Sequence, residues 1–124
     1  MRAVSVLVVD DSPQVRAVML RTLARAGYPV LESPHGEAAL ELLAREDGPR
    51  PFLVITDLVM PRVGGALLLE RIREAHPRTA VLLVSGYPRR ELVPVLERSG
   101  VDFLAKPFSA RELLQAVRKA LPAR

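Results

Sequence analysis

The sequence predicts an α/β fold in which helices cover both faces of a five-stranded parallel sheet. Five short apolar segments alternate along the chain with five segments of helical periodicity. Three of the apolar segments, VLVV, FLVI and AVLLV, are almost continuously hydrophobic, which is typical of strands buried on both faces. This alternation favours parallel strands joined by right-handed helical crossovers, so we predict a doubly wound sheet.

The first half of the chain supplies three strands and the two helices between them. We predict strands at residues 4–9, 29–33 and 52–56. Helices are predicted between them at residues 13–26 and 37–46. The segment DLVMPRVGG follows the third strand directly and is predicted to be a loop, because it contains proline and two glycines.

The first helix has signals at both ends and one apolar stripe. Ser12 and Pro13 suit its N-cap and its first turn, and Gly27 can close it in the left-handed conformation. Arginines occupy the other side of this helix. The predicted apolar stripe consists of Val15, Val18, Met19 and Leu23.

The second half of the chain continues the alternation but contains one weak element. Pro94 interrupts the fourth helix, where a proline removes a backbone donor and costs about 3 kcal/mol. We therefore expect this helix to start late or to kink at Pro94. The elements of this half are predicted as helices at 66–75, 88–100 and 110–121 and strands at 80–84 and 101–105.

Composition excludes several classes of protein. The 124 residues suffice for one domain with a core, and the absence of cysteine excludes disulfides and thiolate metal sites. No apolar segment approaches the roughly 18 residues of a membrane span, and the first residues lack a signal-peptide pattern. We therefore expect a single domain over residues 1–124, a cytoplasmic location and no membrane insertion.

The charge is basic, with a net value of +4 and a pI of about 10.3. Arginine supplies nearly all of it, since lysine occurs only at Lys106 and Lys119. Arginines such as Arg16, Arg21 and Arg25 are scattered over predicted helices and are not interleaved with aromatic residues. We interpret them as solvated helix faces and expect no direct binding to nucleic acid.

Polar side chains end four of the five predicted strands. Asp10 and Asp11 follow the first strand, and Asp57 follows the third. Ser85 ends the fourth strand and Lys106 follows the fifth. Each has a local alternative role in a turn or a helix cap, but the carboxyl ends of parallel strands meet at one edge of a sheet. Their coincidence predicts one functional crevice at that edge.

The predicted crevice would hold three carboxylates, which repel one another unless a strong cation is near. Oxygen ligands favour a hard ion, Mg²⁺ before Ca²⁺. His35 and His76 fall in loop or helix-end contexts, so we assign them no catalytic role. The aspartates are therefore predicted to bind Mg²⁺.

These segments resemble the receiver domains of two-component response regulators, of the chemotaxis-regulator type. The resemblance rests on VVDDSP at the first strand, TDLVMPRVGG at the third, SGY at the fourth and KPF after the fifth. The spacings between these segments also fit, and the resemblance covers nearly the whole chain. It implies a flavodoxin-like sheet with strand order 2-1-3-4-5.

The resemblance implies roles for the acidic residues. Asp57 would accept a phosphoryl group and would also be a ligand of Mg²⁺. Asp11 would bind the metal directly, and Asp10 largely through water. The backbone carbonyl of Val59 would be a further ligand.

The resemblance also implies roles for five residues of the fourth and fifth strands and their loops. Ser85 and Lys106 would contact the phosphoryl oxygens. Ser85 and Phe103 would form the conformational switch, and the Lys106–Pro107 peptide bond would be cis. Tyr87 occupies a position that flanks the attacking water in receivers, as does Val59, so we expect both to hinder hydrolysis of the acyl phosphate.

The implied partners are a sensor histidine kinase or a histidine phosphotransfer protein as phosphoryl donor. A downstream protein would bind the face formed by the fourth helix, fifth strand and fifth helix. Whether the chain also forms a homodimer is left open. The chain would be a phosphoryl acceptor that assists its own phosphorylation and dephosphorylation, rather than a conventional turnover enzyme. Whether it is a stand-alone regulator or part of a larger protein is left open.

Other functional classes lack their own signals. A flavodoxin-like cofactor binder needs a loop rich in Ser, Thr and Gly where this chain has DDSP, and a haloacid-dehalogenase-type phosphatase needs Asp-x-Asp there. A P-loop nucleotidase needs a glycine-rich loop ending in Gly-Lys-Ser/Thr. The alternative left open is a receiver-like interaction module that signals without phosphorylation. Such a module would be indicated by the loss of Asp57, of Lys106, or of one of the two adjacent aspartates after the first strand. All of these residues are present.

Overall fold

The computed structural model describes residues 5–48, 50–87 and 89–121. Within these ranges the strands are β1 (Val6–Val9), β2 (Val30–Ser33), β3 (Leu53–Asp57), β4 (Ala80–Ser85) and β5 (Asp102–Ala105). The helices are α1 (Pro13–Arg25), α2 (Gly36–Ala44), α3 (Gly65–Ala75), α4 (Arg89–Ser99) and α5 (Ala110–Ala120). All strand pairs are parallel and the order is β2-β1-β3-β4-β5, so the predicted fold class and strand order are confirmed.

Two apolar layers hold the helices against the sheet. In β1, Leu7 and Val9 face the layer that contains buried residues of α2 and α3, while Val6 and Val8 face the layer of α1 and α5. Both layers consist mainly of aliphatic side chains. Full burial of each large one contributes about 1.5–3 kcal/mol. Packing on both faces explains why the strands read as continuous apolar runs.

Helix α1 forms as predicted at its ends but not along its whole stripe. The Ser12 hydroxyl accepts from the amide of Val15 at 3.3 Å, and Gly27 is in the left-handed region with φ of 96°. Met19 is fully buried, but Val18 is 53% exposed, so its placement among the buried residues of the stripe is wrong. Adjacent helical residues point about 100° apart, so a helix that buries Met19 turns Val18 toward solvent.

Helix α4 begins at Arg89 and continues through Pro94 to Ser99. The prediction of a late start is therefore wrong. A proline at this position cannot donate to the carbonyl one turn earlier, so one backbone hydrogen bond of the helix is lost. The helix tolerates this because Pro94 is exposed and water can reach the orphaned carbonyl.

The sheet brings the ends of β1, β3, β4 and β5 to one edge. Val9 pairs with Thr56, Asp57 with Val84, and Ser85 with Ala105. The peptide bond between Lys106 and Pro107 is cis, the isomer predicted from the sequence. Among the described residues, no helix has the length and hydrophobicity that a membrane crossing would need.

Candidate functional site

Three aspartates form an acidic cluster beyond the ends of β1 and β3. Asp10, Asp11 and Asp57 each offer one carboxylate oxygen, and these oxygens all lie within 4.8 Å of one another. Asp10 is fully buried, Asp57 is partly buried and Asp11 is exposed. The predicted convergence of these three carboxylates is therefore observed.

Lys106 connects two of these carboxylates from the opposite side of the site. Its ammonium Nζ donates to Oδ2 of Asp10 at 3.0 Å and to Oδ2 of Asp57 at 3.1 Å. The backbone fixes the lysine, because its amide donates to the carbonyl of Ser85 at 2.8 Å. A single cation thus bridges a buried and a partly buried carboxylate.

The second oxygen of each bridged carboxylate is held differently. Oδ1 of Asp10 accepts from the amide of Ser12 at 2.9 Å, so both oxygens of the buried acid have short partners. Oδ1 of Asp57 accepts from the amide of Val59 at 3.4 Å, which is long for a hydrogen bond. Asp57 therefore has the less tightly held oxygen of the two bridged carboxylates.

Burial raises the pKa of Asp57 above its usual value, and the neighbouring charge of Asp10 raises it further. The hydrogen bond and charge of Lys106 and the amide of Val59 oppose this rise only in part. Because the folded pKa is raised, the fold favours protonated Asp57 and loses stability as the pH rises through that pKa. A cation in the cluster would favour the ionised form instead.

The pKa of Lys106 is also raised. Burial alone would lower it, but the hydrogen bonds and charges of Asp10 and Asp57 outweigh that effect. The stabilisation from this charged lysine is therefore complete at neutral pH and is lost only as the pH rises through the elevated folded pKa. Lys106 is thus a fixed positive charge under physiological conditions.

The cluster has the donor set that a hard divalent cation prefers. All three side chains offer carboxylate oxygens, and none offers nitrogen or sulfur. Mg²⁺ binds few protein carboxylates and keeps several waters, which suits a cluster with one buried and one exposed acid. Asp10, Asp11 and Asp57 are therefore the residues that could hold Mg²⁺.

Ser85 and its neighbours form the rim next to Asp57. Ser85 is buried, and its hydroxyl accepts from the amide of Tyr87 at 3.0 Å. The side chains of Val59 and Tyr87 are 49% and 51% exposed. Phe103, on the strand beside Ser85, is partly buried and packs against the α2–α3 core layer.

Gly65 allows α3 to begin directly behind Asp57. A Cβ atom at this position would lie 2.5 Å from the carbonyl oxygen of Asp57 and 2.8 Å from Cα of Leu58. The amide of Gly65 donates to the carbonyl of Leu58 at 2.8 Å. The loop can therefore turn tightly back onto its helix.

Arg16 is a residue of the site that sequence reasoning missed. It was assigned to a solvated helix face, but its side chain is only 15% exposed. It donates to the backbone carbonyl of Asp10 at 2.6 Å and pairs with Glu32 at 2.9 Å. The assignment failed because these partners are brought beside α1 by the sheet and share no local pattern with it.

The two histidines lie at helix ends, as expected. His35 is the N-cap of α2, where its Nδ1 accepts from the amide of Ala38 at 3.1 Å. His76 is the C-cap of α3. Neither is a member of the acidic cluster.

Comparison with protein families and curated proteins gives consistent matches. A family model described as response regulator receiver domain matches residues 6–118. The sensor kinase CckA of Brucella abortus is 36% identical over 118 residues, which cover 94% of this chain and 12% of that protein. The transcriptional regulator NtrC of Rhizobium meliloti is 34% identical over 122 residues, which cover 98% of this chain and 25% of that protein. The chain spans less than half the length of the curated relatives that head the comparison.

Solved structures match the whole described fold. The Vibrio cholerae chemotaxis protein CheY4 has a TM-score of 0.86 at 28% identity, covering 97% of this chain and 100% of that chain. A response regulator receiver protein from Pseudomonas putida has a TM-score of 0.83 at 31% identity, covering 96% and 98%.

Proposed function

The chain belongs to the response regulator receiver domain family, and from that premise we propose that it accepts a phosphoryl group on Asp57 in a Mg²⁺-dependent reaction. One observation carries the proposal. Lys106 lies 3.1 Å from Asp57 at the edge of a cluster of three carboxylates whose oxygens are within 4.8 Å of one another. This arrangement provides a nucleophile, a fixed cation and a cation-binding set at one edge of the sheet.

The chemistry assigned to each residue follows from its position. An oxygen of Asp57 attacks the phosphorus of the donor and forms an acyl phosphate, while the bond from phosphorus to the donor's leaving group breaks and the leaving group takes that electron pair. Lys106 stabilises the charge on the transferring oxygens, and the Ser85 hydroxyl donates a hydrogen bond to one of them. Bound Mg²⁺ supplies further neutralisation of phosphoryl charge. Catalysis therefore comes from positioning and charge rather than from acid–base chemistry.

The proposal extends to partners and location. The donor is a sensor histidine kinase or a histidine phosphotransfer protein, and the receiver acts in the cytoplasm. The output surface is formed by α4, β5 and α5. The chain is a phosphoryl acceptor that assists its own phosphorylation and dephosphorylation, and it is not a conventional turnover enzyme.

The proposed function predicts that labelling depends on Mg²⁺. Incubation with a small phosphodonor and Mg²⁺ should add one phosphoryl group per chain, detected by intact-mass measurement. Excess chelator should abolish it, because three carboxylates with one lysine leave the site too negative for an incoming phosphate. Equal labelling in chelator would contradict the metal requirement. No labelling under any condition would favour an interaction module that signals without phosphorylation.

A second prediction concerns the lifetime of the acyl phosphate. The amide of Val59 donates to Oδ1 of Asp57 and the amide of Tyr87 donates to the Ser85 hydroxyl, and both residues are about half exposed. We expect their side chains to hinder a water that approaches the acyl phosphate. The double variant Val59→Asn with Tyr87→Glu should hydrolyse the acyl phosphate faster, because polar groups there can orient that water. Phosphate release is followed over time for both proteins. An unchanged or slower rate in the variant would refute the shielding.

A third prediction concerns the switch. The Ser85 hydroxyl turns toward the phosphoryl group to form a charge-assisted hydrogen bond, and Phe103 moves inward into the vacated space. Phe103 has no hydroxyl to keep in water, so its inward state is already accessible and phosphorylation shifts the population. Amide signals of residues 85–108 should therefore move when a phosphoryl mimic binds at Asp57. Unmoved signals from Ser85, Phe103 and α4 would mean that phosphate is passed on without a change of shape.

A further inference from the structure

An apolar groove lies beside the acidic cluster, between α1 and the loop from β5 to α5. It has a volume of about 530 Å³. Its apolar walls are Val15, Val18, Pro107 and Phe108. Small-molecule sites have volumes of about 300–1,000 Å³ and are mostly apolar, so both the size and the lining suit a small ligand.

The groove shares one residue, Lys106, with the site of Asp57. Lys106 lines the groove, while its ammonium lies 3.1 Å from Oδ2 of Asp57. Gly86 also lines the groove, and a Cβ atom there would meet no atom within 4 Å. The groove is therefore uncrowded at Gly86, and Lys106 is the residue that belongs to both the groove and the acidic site.

The polarity of the groove indicates what it can accept. Among the described residues that line the groove, Lys106 is the charged one and Gln14 is the other with a polar side chain. Val18 presents an exposed apolar surface on α1, in a position that a polar residue would otherwise fill. A ligand that fits both ends has an anionic head at Lys106 and an uncharged apolar tail along Val18.

We propose that the groove receives the acyl group of small acyl phosphate donors, so that donors with longer apolar acyl chains phosphorylate Asp57 faster than acetyl phosphate does. The proposal rests on the proposed function, because the phosphoryl head must react at Asp57. It goes further by assigning a preferred class of phosphodonor and a site that selects it.

The transfer is balanced without any added reactant. A carboxylate oxygen of Asp57 forms a bond to phosphorus, and the bond between phosphorus and the acyl oxygen breaks. The leaving carboxylate takes that electron pair, so no proton has to be delivered. The apolar chain of the leaving group stays in the groove during the transfer, so its burial lowers the barrier measured from the free donor, which governs the rate below saturation.

The test compares two donors of matched reactivity. Butyric and acetic acid have almost equal acidity, so butyryl and acetyl phosphate differ mainly in two methylene groups. Each buried methylene is worth about fourfold, and partial burial in an open groove gives an expected butyryl-to-acetyl rate ratio of about three to ten. Initial rates of labelling are measured by intact mass, with Mg²⁺ and at donor concentrations below saturation.

Two substitutions of Val18 assign the preference to the groove. Val18→Ser should lower the ratio toward one, and Val18→Leu should keep or raise it. Leu67→Ser is the matched control, because Leu67 is also an exposed aliphatic residue of a helix, at 37% exposure on α3. It should leave the ratio unchanged. Circular dichroism is used to check that each variant is folded. The butyryl-to-acetyl ratio of the wild-type protein tests the proposal even if a variant fails to fold.

The outcomes separate this inference from the proposed function. Labelling by neither donor would overturn the proposed function. Labelling by both with a wild-type ratio of one would overturn the groove assignment alone. A ratio above one that Val18→Ser does not lower would also overturn it. If the groove binds only the surface of a donor protein, the butyryl-to-acetyl rate ratio would be one.

Discussion

Replacement of Asp57 by asparagine is expected to reduce covalent phosphorylation to background. The amide keeps the shape of the side chain and can still accept from Lys106, whose ammonium lies 3.1 Å from Oδ2. It cannot form an acyl phosphate, because its oxygen lacks the negative charge and its nitrogen is not a nucleophile. The loss should be complete rather than partial, since the proposed function assigns the attack on phosphorus to Asp57 alone.

A matched control separates this loss from a general effect of removing an acid. Asp47→Asn changes an exposed aspartate in the turn after α2, away from the cluster, and should be labelled like the wild type. Both variants are incubated with the same donor and Mg²⁺ and weighed intact. Continued labelling of the Asp57→Asn protein would show that the nucleophile is a different residue.

Replacement of Lys106 by methionine is expected to slow labelling of Asp57 by about 10²–10³-fold, the usual effect of removing one donor to a developing negative charge. Methionine keeps the length and most of the volume of the side chain but has no charge. The variant should also unfold more easily in metal-free buffer, because buried Asp10 loses its cation. Breaking a fully buried ion pair lowers the free energy of unfolding by about 3–5 kcal/mol. We expect a smaller decrease here, because the Lys106 side chain is 21% exposed.

The stability difference between wild type and Lys106→Met has a defined pH dependence. Lys106 has a raised pKa, so its contribution persists from neutral pH upward and disappears only as the pH rises through that elevated value. Lys119→Met is the matched control, since Lys119 is 81% exposed and lies 4.0 Å from Asp102. Its labelling rate should match the wild type. An unimpaired labelling rate in Lys106→Met would contradict the assigned role of the lysine.

The parts of the structure predicted from sequence are those that depend on local pattern and on the geometry of parallel sheets. Continuous apolar runs indicated buried strands, and polar residues at four strand ends indicated the site. Convergence at one site could be predicted without knowledge of contacts between elements, because every parallel strand delivers its carboxyl end to the same edge of the sheet. This applies to Asp10, Asp57, Ser85 and Lys106.

The parts that failed depend on contacts between elements. The pattern of its own helix predicted that Arg16 is solvated. Its guanidinium instead donates to the carbonyl of Asp10 and pairs with the carboxylate of Glu32. The packing of α1 on the sheet decides which residues of its apolar stripe are buried. Val18 is not among them and lines the groove instead. In α4, the cost of Pro94 predicted a late start or a kink, and the late start is wrong because the helix begins at Arg89 and continues through the exposed Pro94.

The position of the phosphoryl group tests the central claim most directly. Borohydride reduces an aspartyl phosphate to homoserine, so the protein is labelled with a donor and Mg²⁺, reduced, digested and analysed by peptide mass spectrometry. We expect homoserine at position 57 and unmodified aspartate at positions 10 and 11. Homoserine at position 10 or 11, or a phosphate ester on Ser85 with Asp57 intact, would contradict it.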